Sequence, residues 1–238
     1  LSSLGSVFWR FLTESERMIV VERIEAFLWQ AMHDSEKEHS QTAYFRTFRS
    51  VALTEDGKNK LVKIWDESLE VQGLQLGERD QTTLSFELAV RGVGNSDEIL
   101  SNQLESISNE DRRKRMVFIL PALSSDEEIR DQFFASLKNV ENRSHEPWVL
   151  TAVQYLHHPL RADASRKYLE ESLALLPEIQ QTGDIFFPKR WADSILGGHQ
   201  SQEAAQIVHD FLSQNADFPP RLRAKVCLLY TSDAADDP

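Results

Sequence analysis

Two histidine-containing stretches have the residue types that bind catalytic zinc in peptidases. A zinc-hydrolase helix carries the pattern H-E-x-x-H, which places two imidazoles on one face and a glutamate between them as general base. His145-Glu146 begins this pattern, but Val149 stands where the second histidine is needed. His157 and His158 are adjacent, so they point about 100° apart on a helix and make a poor ligand pair. We therefore predict no metal site in this chain and place these histidines at the surface or at helix ends.

Other catalytic patterns are incomplete. Gly92-Val93-Gly94 contains G-x-G, but Asp97 stands where a dinucleotide-binding loop needs its third glycine, and a helical stretch precedes it. No G-x-x-x-x-G-K-[ST] or G-x-S-x-G occurs, and the only cysteine is Cys227. With 38 aspartates and glutamates, chance carboxylate pairs are uninformative. The sequence predicts no catalytic residue.

Two clusters combine basic and aromatic residues against an acidic background. They are Tyr44-Phe45-Arg46-Thr47-Phe48-Arg49 and Phe186-Phe187-Pro188-Lys189-Arg190-Trp191. Arg46 and Arg49 share a helix face, and Lys189 and Arg190 open a helix after an apolar loop. All four are candidate substrate-binding residues, because arginine forks match a peptide carboxylate. The residue types alone favour the other interpretation, in which these cations pair with acidic side chains or stack on the aromatic rings.

The elements that must position these clusters are helices. Apolar residues recur at helical spacing, for example at Ala204, Val208 and Phe211, and no stretch alternates as a strand does. Possible capping boxes begin at Thr13, Asn95 and Ser125. The pattern predicts helices over 14–33, 37–53, 56–69, 80–91, 96–107, 110–122, 125–139, 146–157, 162–181, 188–196 and 201–214, with a last one from Pro220.

The order and spacing of these helices predict an all-α fold. From about residue 95 they pair at roughly thirty-residue spacing, which is typical of antiparallel helix pairs in a HEAT- or armadillo-like right-handed superhelix. An irregular helical bundle is the alternative. We take residues 1–226 as one helical domain, with a possible subdivision near 70–80.

Charge and hydropathy exclude several partners. The net charge of −12 argues against nucleic-acid binding, because phosphate contacts need clustered lysine and arginine. No run of eighteen apolar residues is present, so no membrane span is expected. The stretch Cys227–Asp236 resembles a translated sequencing-library adapter, so residues 227–238 are predicted not to be native.

Several ordered phrases resemble the C-terminal helical domain of aminopeptidase N-type zinc metallopeptidases, particularly those of Bacteroidetes-like bacteria. The phrases are Thr42–Ala52, Arg143–Leu150, Tyr155–Arg161, Gly183–Trp191 and Phe218–Lys225, within a resemblance that covers roughly residues 1–226. The family's H-E-x-x-H and G-x-M-E-N motifs lie N-terminal to this region, and neither occurs here.

The resemblance implies that this chain is part of an enzyme that removes N-terminal residues from peptides. Zinc would reside in a catalytic domain of the same polypeptide, and these helices would cap its active site and shape peptide access. The expected partners are that catalytic domain and a peptide substrate. Family members are often exported, which favours the periplasm or cell envelope over the cytoplasm. A helical-repeat module that binds a protein or peptide without catalysis is the alternative.

Overall fold

A computed structural model describes residues 1–231, and all regular elements in that range are helical. The chain separates into two compact units, Leu1–Met116 and the residues from Val117 onward, so the boundary falls within a helix. The helices of the first unit, the last of which crosses the boundary, are α1 (Ser2–Arg10), α2 (Glu14–Asp34), α3 (Glu38–Val51), α4 (Glu55–Trp65), α5 (Glu78–Val90), α6 (Ser96–Ser106) and α7 (Glu110–Leu123).

The second unit contains eight further helices among the described residues, with short 3-10 turns at Val140–Arg143, Pro159–Arg161 and Arg166–Tyr168. The helices are α8 (Glu127–Ser136), α9 (Glu146–Leu156), α10 (Ala162–Ser165), α11 (Leu169–Ala174), α12 (Leu176–Thr182), α13 (Phe187–Leu196), α14 (Gln202–Gln214) and α15 (Pro220–Thr231). Helix α15 continues past Val226, the predicted end of the helical domain. Of the predicted non-native tail, residues 232–238 lie outside the described residues.

The first unit is built from helices that pack on their neighbours in sequence. Helix α2 packs on α3, α4 on α5, and α5 on α6, while α1 also covers α3. Their common core includes Phe8, Phe45, Phe48 and Leu84, all fully buried. Burial of such aromatic and aliphatic side chains is the main stabilising contribution, about 1.5–3 kcal/mol for each.

One buried carboxylate shapes the turn between α3 and α4. Glu25 of α2 accepts hydrogen bonds from the backbone N–H groups of Leu53, at 2.6 Å, and Thr54, at 2.9 Å, and from the Thr54 hydroxyl. A side chain at Gly57 would collide with this carboxylate. The glycine and the buried acid therefore fix the start of α4 together.

The predicted break at 70–80 lies inside the first unit. Val71 is buried, and Leu69, Leu74 and Leu76 pack against the same core. Gly73 adopts a φ of 84°, a left-handed conformation that glycine adopts without strain. Because its apolar side chains fill the core, this segment is a packed turn, and the boundary between units lies some forty residues later.

Several helices of the second unit pack on α13. Helices α9, α12 and α15 all pack on α13, and α11 packs on α14. Trp191 of α13 is fully buried and donates a hydrogen bond from its indole nitrogen to the carbonyl oxygen of Ser172, at 3.0 Å. This anchor fixes the orientation of the helix that carries Lys189 and Arg190.

Two differences between the predicted and the observed helices have a clear local cause. Helix α1 was not predicted, because Leu1 at its N-cap provides no capping side chain and marks no start. The single helix expected over 162–181 is interrupted by a 3-10 turn and then at Leu175. Pro177 lacks the N–H that would continue the hydrogen-bond ladder, so α12 begins afresh with proline in its first turn.

The predicted capping boxes are also only partly confirmed. Thr13 and Glu16 form the reciprocal pair, with Thr13 N–H donating to Glu16 at 2.8 Å. Asn95 instead donates its side-chain amide to Glu98. The helix predicted from Ser125 is capped by Asp126, which accepts from the Glu128 N–H at 2.9 Å. No helix within residues 1–231 combines the length and apolar character needed to cross a membrane.

Candidate functional site

Both arginines of the first basic-aromatic cluster contact one aspartate. Asp80, in the first turn of α5, receives two hydrogen bonds from Arg46, from Nε at 3.1 Å and from Nη2 at 3.2 Å. Arg49 Nη1 lies 3.6 Å from the Asp80 carboxylate and donates to the Asp80 carbonyl oxygen at 3.3 Å. The Arg49 guanidinium also lies over the ring of Phe45. We call Arg46, Arg49 and Asp80 the Asp80 cluster.

The Asp80 cluster is a structural ion pair between α3 and α5. Arg49 is buried, and the hydrogen bonds to Asp80 raise the pKa of Arg46 above its ordinary value. Arg46 directs Nε and Nη2 at the Asp80 carboxylate, and Arg49 directs Nη1 at the same residue, so Asp80 competes with a peptide carboxylate for both cations. The structure therefore supports the interpretation in which these two arginines pair with an acidic side chain.

The second cluster forms an exposed surface at the start of α13. Phe187, Pro188 and Trp191 turn inward and are buried. Ile185 and Phe186 are 81% and 60% exposed, so the loop presents two large apolar side chains to solvent. Together with Lys189 and Arg190, these two residues make what we call the Arg190 surface.

The two cations of the Arg190 surface differ in their partners. Lys189 Nζ forms an ion pair with Asp193 on the next turn of the helix, at 2.7 Å. Arg190 is exposed, and its guanidinium carbon lies 5.8 Å from the centre of the Phe186 ring. Within residues 1–231, Arg190 has no ion-pair partner. Its guanidinium is therefore available to an anion.

The loop that carries Ile185 and Phe186 is held by an acid from another helix. Glu146 Oε1 of α9 accepts a hydrogen bond from the Asp184 N–H at 2.7 Å. Asp184 Oδ1 in turn accepts from the Phe186 N–H at 2.7 Å. The glutamate of the incomplete H-E-x-x-H pattern thus positions the Arg190 surface, while His145 stacks on Trp148.

His157 lies at a helix end, as the sequence predicts, and takes part in a buried histidine contact. His157 caps α9 but is buried, and its Nδ1 lies 2.9 Å from Nε2 of His199, which is also buried. Burial, and secondarily His199, lowers the pKa of His157 well below its ordinary value. Burial, with a smaller contribution from Arg166, lowers the pKa of His199 to about 4.

The histidine pair is neutral at pH 7 and serves packing between α9 and the turn after α13. His199 lies 42 residues from His157, so no local spacing signals the contact. Among residues 1–231, no group of three histidine, cysteine, aspartate or glutamate side chains is arranged to hold a metal ion.

Comparison with known proteins identifies no relative. No protein-family model, no curated protein and no solved structure matches the chain.

Proposed function

We propose that this chain is the helical, peptide-contacting part of a zinc-dependent aminopeptidase. In such an enzyme the zinc and the catalytic groups belong to a catalytic domain of the same polypeptide, and these helices cap its active site. The proposal is supported by the ordered phrases that resemble the family and by the all-helical fold. The helices described here contribute peptide contacts and no catalytic group.

The observation that carries the proposal is the unpaired guanidinium of Arg190 beside exposed apolar side chains. An arginine fork binds a carboxylate through two parallel hydrogen bonds, and stacking on Phe186 limits the positions that the fork can take. Ile185 and Phe186 offer apolar contact to the side chain next to that carboxylate. The surface therefore suits the C-terminal end of a peptide with an apolar last residue.

We also propose that the helices form antiparallel pairs in a right-handed, HEAT-like array. The packing of α2 on α3, of α4 on α5 and of α5 on α6 supports this arrangement in the first unit, because these helices pack on their neighbours in sequence. Such arrays present broad surfaces for peptides and proteins.

Peptide binding by the chain itself tests the role of the Arg190 surface. A fluorescent peptide with a free, apolar C-terminus is compared with the same peptide amidated at that end. We expect the free acid to bind at least about tenfold more tightly, and Arg190→Glu to remove that difference. Arg221→Glu is the matched control, since Arg221 is another exposed arginine near a helix start. Equal affinity for acid and amide in the unaltered chain would refute the carboxylate role.

The sequence that the gene encodes upstream of this chain distinguishes the proposed aminopeptidase from the non-catalytic alternative. An upstream segment with H-E-x-x-H and G-x-M-E-N, and release of N-terminal residues by the full polypeptide with zinc, support the aminopeptidase. A different upstream domain, together with retained peptide binding, supports a helical-repeat interaction module. Turnover by the pure 238-residue chain would contradict the assignment of catalysis elsewhere.

A further inference from the structure

The segment Gly183–Phe186 is held closely between α12 and α13. Gly183 ends α12, and its N–H donates to the Ile179 carbonyl oxygen at 2.9 Å. A Cβ atom at Gly183 would lie 2.5 Å from the buried ring of Phe187 and 3.1 Å from Glu146 Oε1. Both distances are shorter than a van der Waals contact, so this close approach requires glycine.

Two hydrogen bonds then fix the backbone on either side of Ile185. The N–H before it, on Asp184, donates to Glu146 Oε1, and the N–H after it, on Phe186, donates to Asp184 Oδ1, each at 2.7 Å. An aspartate side chain that accepts from the backbone two residues on is a common way to fix a turn. The exposed side chains of Ile185 and Phe186 are therefore presented by an ordered backbone.

Phe186 is linked in turn to Arg190, one helical turn later. The Arg190 N–H donates to the Phe186 carbonyl oxygen at 3.1 Å, and the Arg190 guanidinium carbon lies 5.8 Å from the centre of the Phe186 ring. A cation–π contact at an exposed site is weak, so it restrains the guanidinium only while the backbone that carries the ring is ordered. The position of the Arg190 guanidinium therefore depends on the hydrogen bonds of the loop before it.

We propose that Glu146 is a positioning residue that sets how strongly Arg190 prefers a carboxylate to an amide. Given the peptide-binding function proposed above, on which this inference rests, Glu146 does not itself contact the peptide but acts through Asp184 and Phe186. A carboxylate accepts two parallel hydrogen bonds from a guanidinium held in its plane, whereas an amide cannot accept both. An ordered loop has also already lost the conformational entropy that binding would otherwise cost.

Glu146 could instead serve only the helix that it begins. It lies in the first turn of α9, where a carboxylate stabilises the helix by interacting with its dipole. That contribution changes the stability of the chain and not its choice between two peptides. It also depends on the negative charge, whereas the hydrogen bond from Asp184 requires only an acceptor oxygen. Glutamine keeps that oxygen and lacks the charge, so Glu146→Gln and Glu146→Ala separate the two roles.

The test measures the affinity of the full chain for one N-terminally labelled peptide that ends in leucine, as the free acid and as the amide. The unaltered chain is expected to bind the acid at least about tenfold more tightly. In Glu146→Ala we expect this ratio to fall to about threefold, and in Glu146→Gln to stay at about tenfold. Glu128→Ala is the matched control, since Glu128 is an exposed acid in the first turn of α8, and it should leave the ratio unchanged.

Amide exchange with solvent, followed by NMR, tests the loop without any peptide. Loss of one exposed hydrogen bond in Glu146→Ala should speed exchange of the Asp184 amide by about fivefold, and Glu146→Gln should not. If Glu146→Ala does not fold, Asp184→Ala replaces it, because it removes the acceptor of the Phe186 N–H in an exposed loop. The same fall in the acid-to-amide ratio is expected for that variant.

Three results would overturn the proposal while the proposed function stands. They are an unchanged acid-to-amide ratio in Glu146→Ala, an equal fall of the ratio in Glu146→Ala and Glu146→Gln, and unaltered exchange of the Asp184 amide in Glu146→Ala. Equal affinity of the unaltered chain for acid and amide would refute the carboxylate role of Arg190, and this proposal with it. Faster Asp184 exchange in Glu146→Ala would then identify the proposed function, and not the loop contacts, as the error.

Discussion

The Asp80 cluster and the Arg190 surface have similar sequences and different environments. Each has two basic residues within an aromatic hexapeptide, and in each a guanidinium lies near an aromatic ring. Asp80 reaches the first cluster from α5, so Arg46 and Arg49 are occupied. No acidic side chain in residues 1–231 reaches Arg190. The difference shows that a basic cluster becomes a candidate binding surface only where the fold leaves its charge unpaired.

The largest effect that we expect is a difference between the two units in their stability at acid pH. The first unit carries the Asp80 cluster and the second carries the Arg190 surface. Both histidines of the buried pair, His157 and His199, belong to the second unit. Burial lowers the pKa values of both histidines, so as the pH falls below about 6.5 the unfolded state takes up protons before the folded state does. The free energy of unfolding therefore decreases as the pH falls from about 6.5 to about 4. Over that window we expect a loss on the order of 3 kcal/mol.

Hydrogen exchange followed by mass spectrometry between pH 7 and 4 locates this effect, after correction for the intrinsic pH dependence of exchange. Protection in α9 and α13 should fall before protection in α2 and α3. His199→Gln should remove much of the pH dependence in this window. A first unit that loses protection earlier than the second would show that the histidine pair does not control acid stability.

Replacing the aspartate at each site by alanine compares the Asp80 cluster with the Arg190 surface directly. Asp80→Ala leaves the buried Arg49 without its partner, and we expect the free energy of unfolding to fall by about 2 kcal/mol. Asp193→Ala removes the partner of Lys189, whose side chain is 59% exposed, and should cost less than about 0.5 kcal/mol. Urea unfolding of the two variants measures both values. Equal losses would mean that the clusters do not differ as described.

A smaller effect is expected within the Asp80 cluster itself. The Arg46 side chain is 56% exposed, so its ion pair with Asp80 is screened by water. A double-mutant cycle with Arg46→Ala and Asp80→Ala should give a coupling energy of no more than about 1 kcal/mol. A much larger coupling would mean that Arg46, and not the buried Arg49, depends most on the aspartate.

The smallest expected effect on stability is at the Arg190 surface. Arg190→Ala removes an exposed side chain without an ion-pair partner among the described residues, and should change the free energy of unfolding by less than about 0.5 kcal/mol. Thermal and urea unfolding both check this value. A clear destabilisation would indicate a structural role that the contacts of Arg190 do not reveal.

The sequence predicted most helices because their signals are local. Apolar spacing, capping residues and prolines all act within a few residues, and the helices from α2 to α9 begin within two residues of their predicted starts. The contacts that decide the site are not local. Asp80 lies 34 residues from Arg46, and among 38 acidic residues no pattern distinguishes it.

Helix α2 shows a second limit of local pattern. Val21 and Leu28 share one helix face, because they lie seven residues apart, and both are buried, whereas Met18 and Phe27 of the same helix are 57% and 62% exposed. Apolar residues on two faces of one helix leave the choice of the buried face to tertiary packing. The Arg190 surface was similarly identified by residue type alone, and only the fold shows that Phe187 turns inward while Phe186 turns outward.

The most direct test of the proposed role of Arg190 uses the aminopeptidase of which we propose that this chain is a part. Arg190→Glu is compared with the unaltered enzyme on a short aminoacyl substrate and on peptides of increasing length with free C-termini. We expect unchanged kcat/KM for the short substrate and a KM raised by about tenfold for peptides that reach the Arg190 surface. Unchanged kinetics at every peptide length, in a normally folded variant, would contradict it.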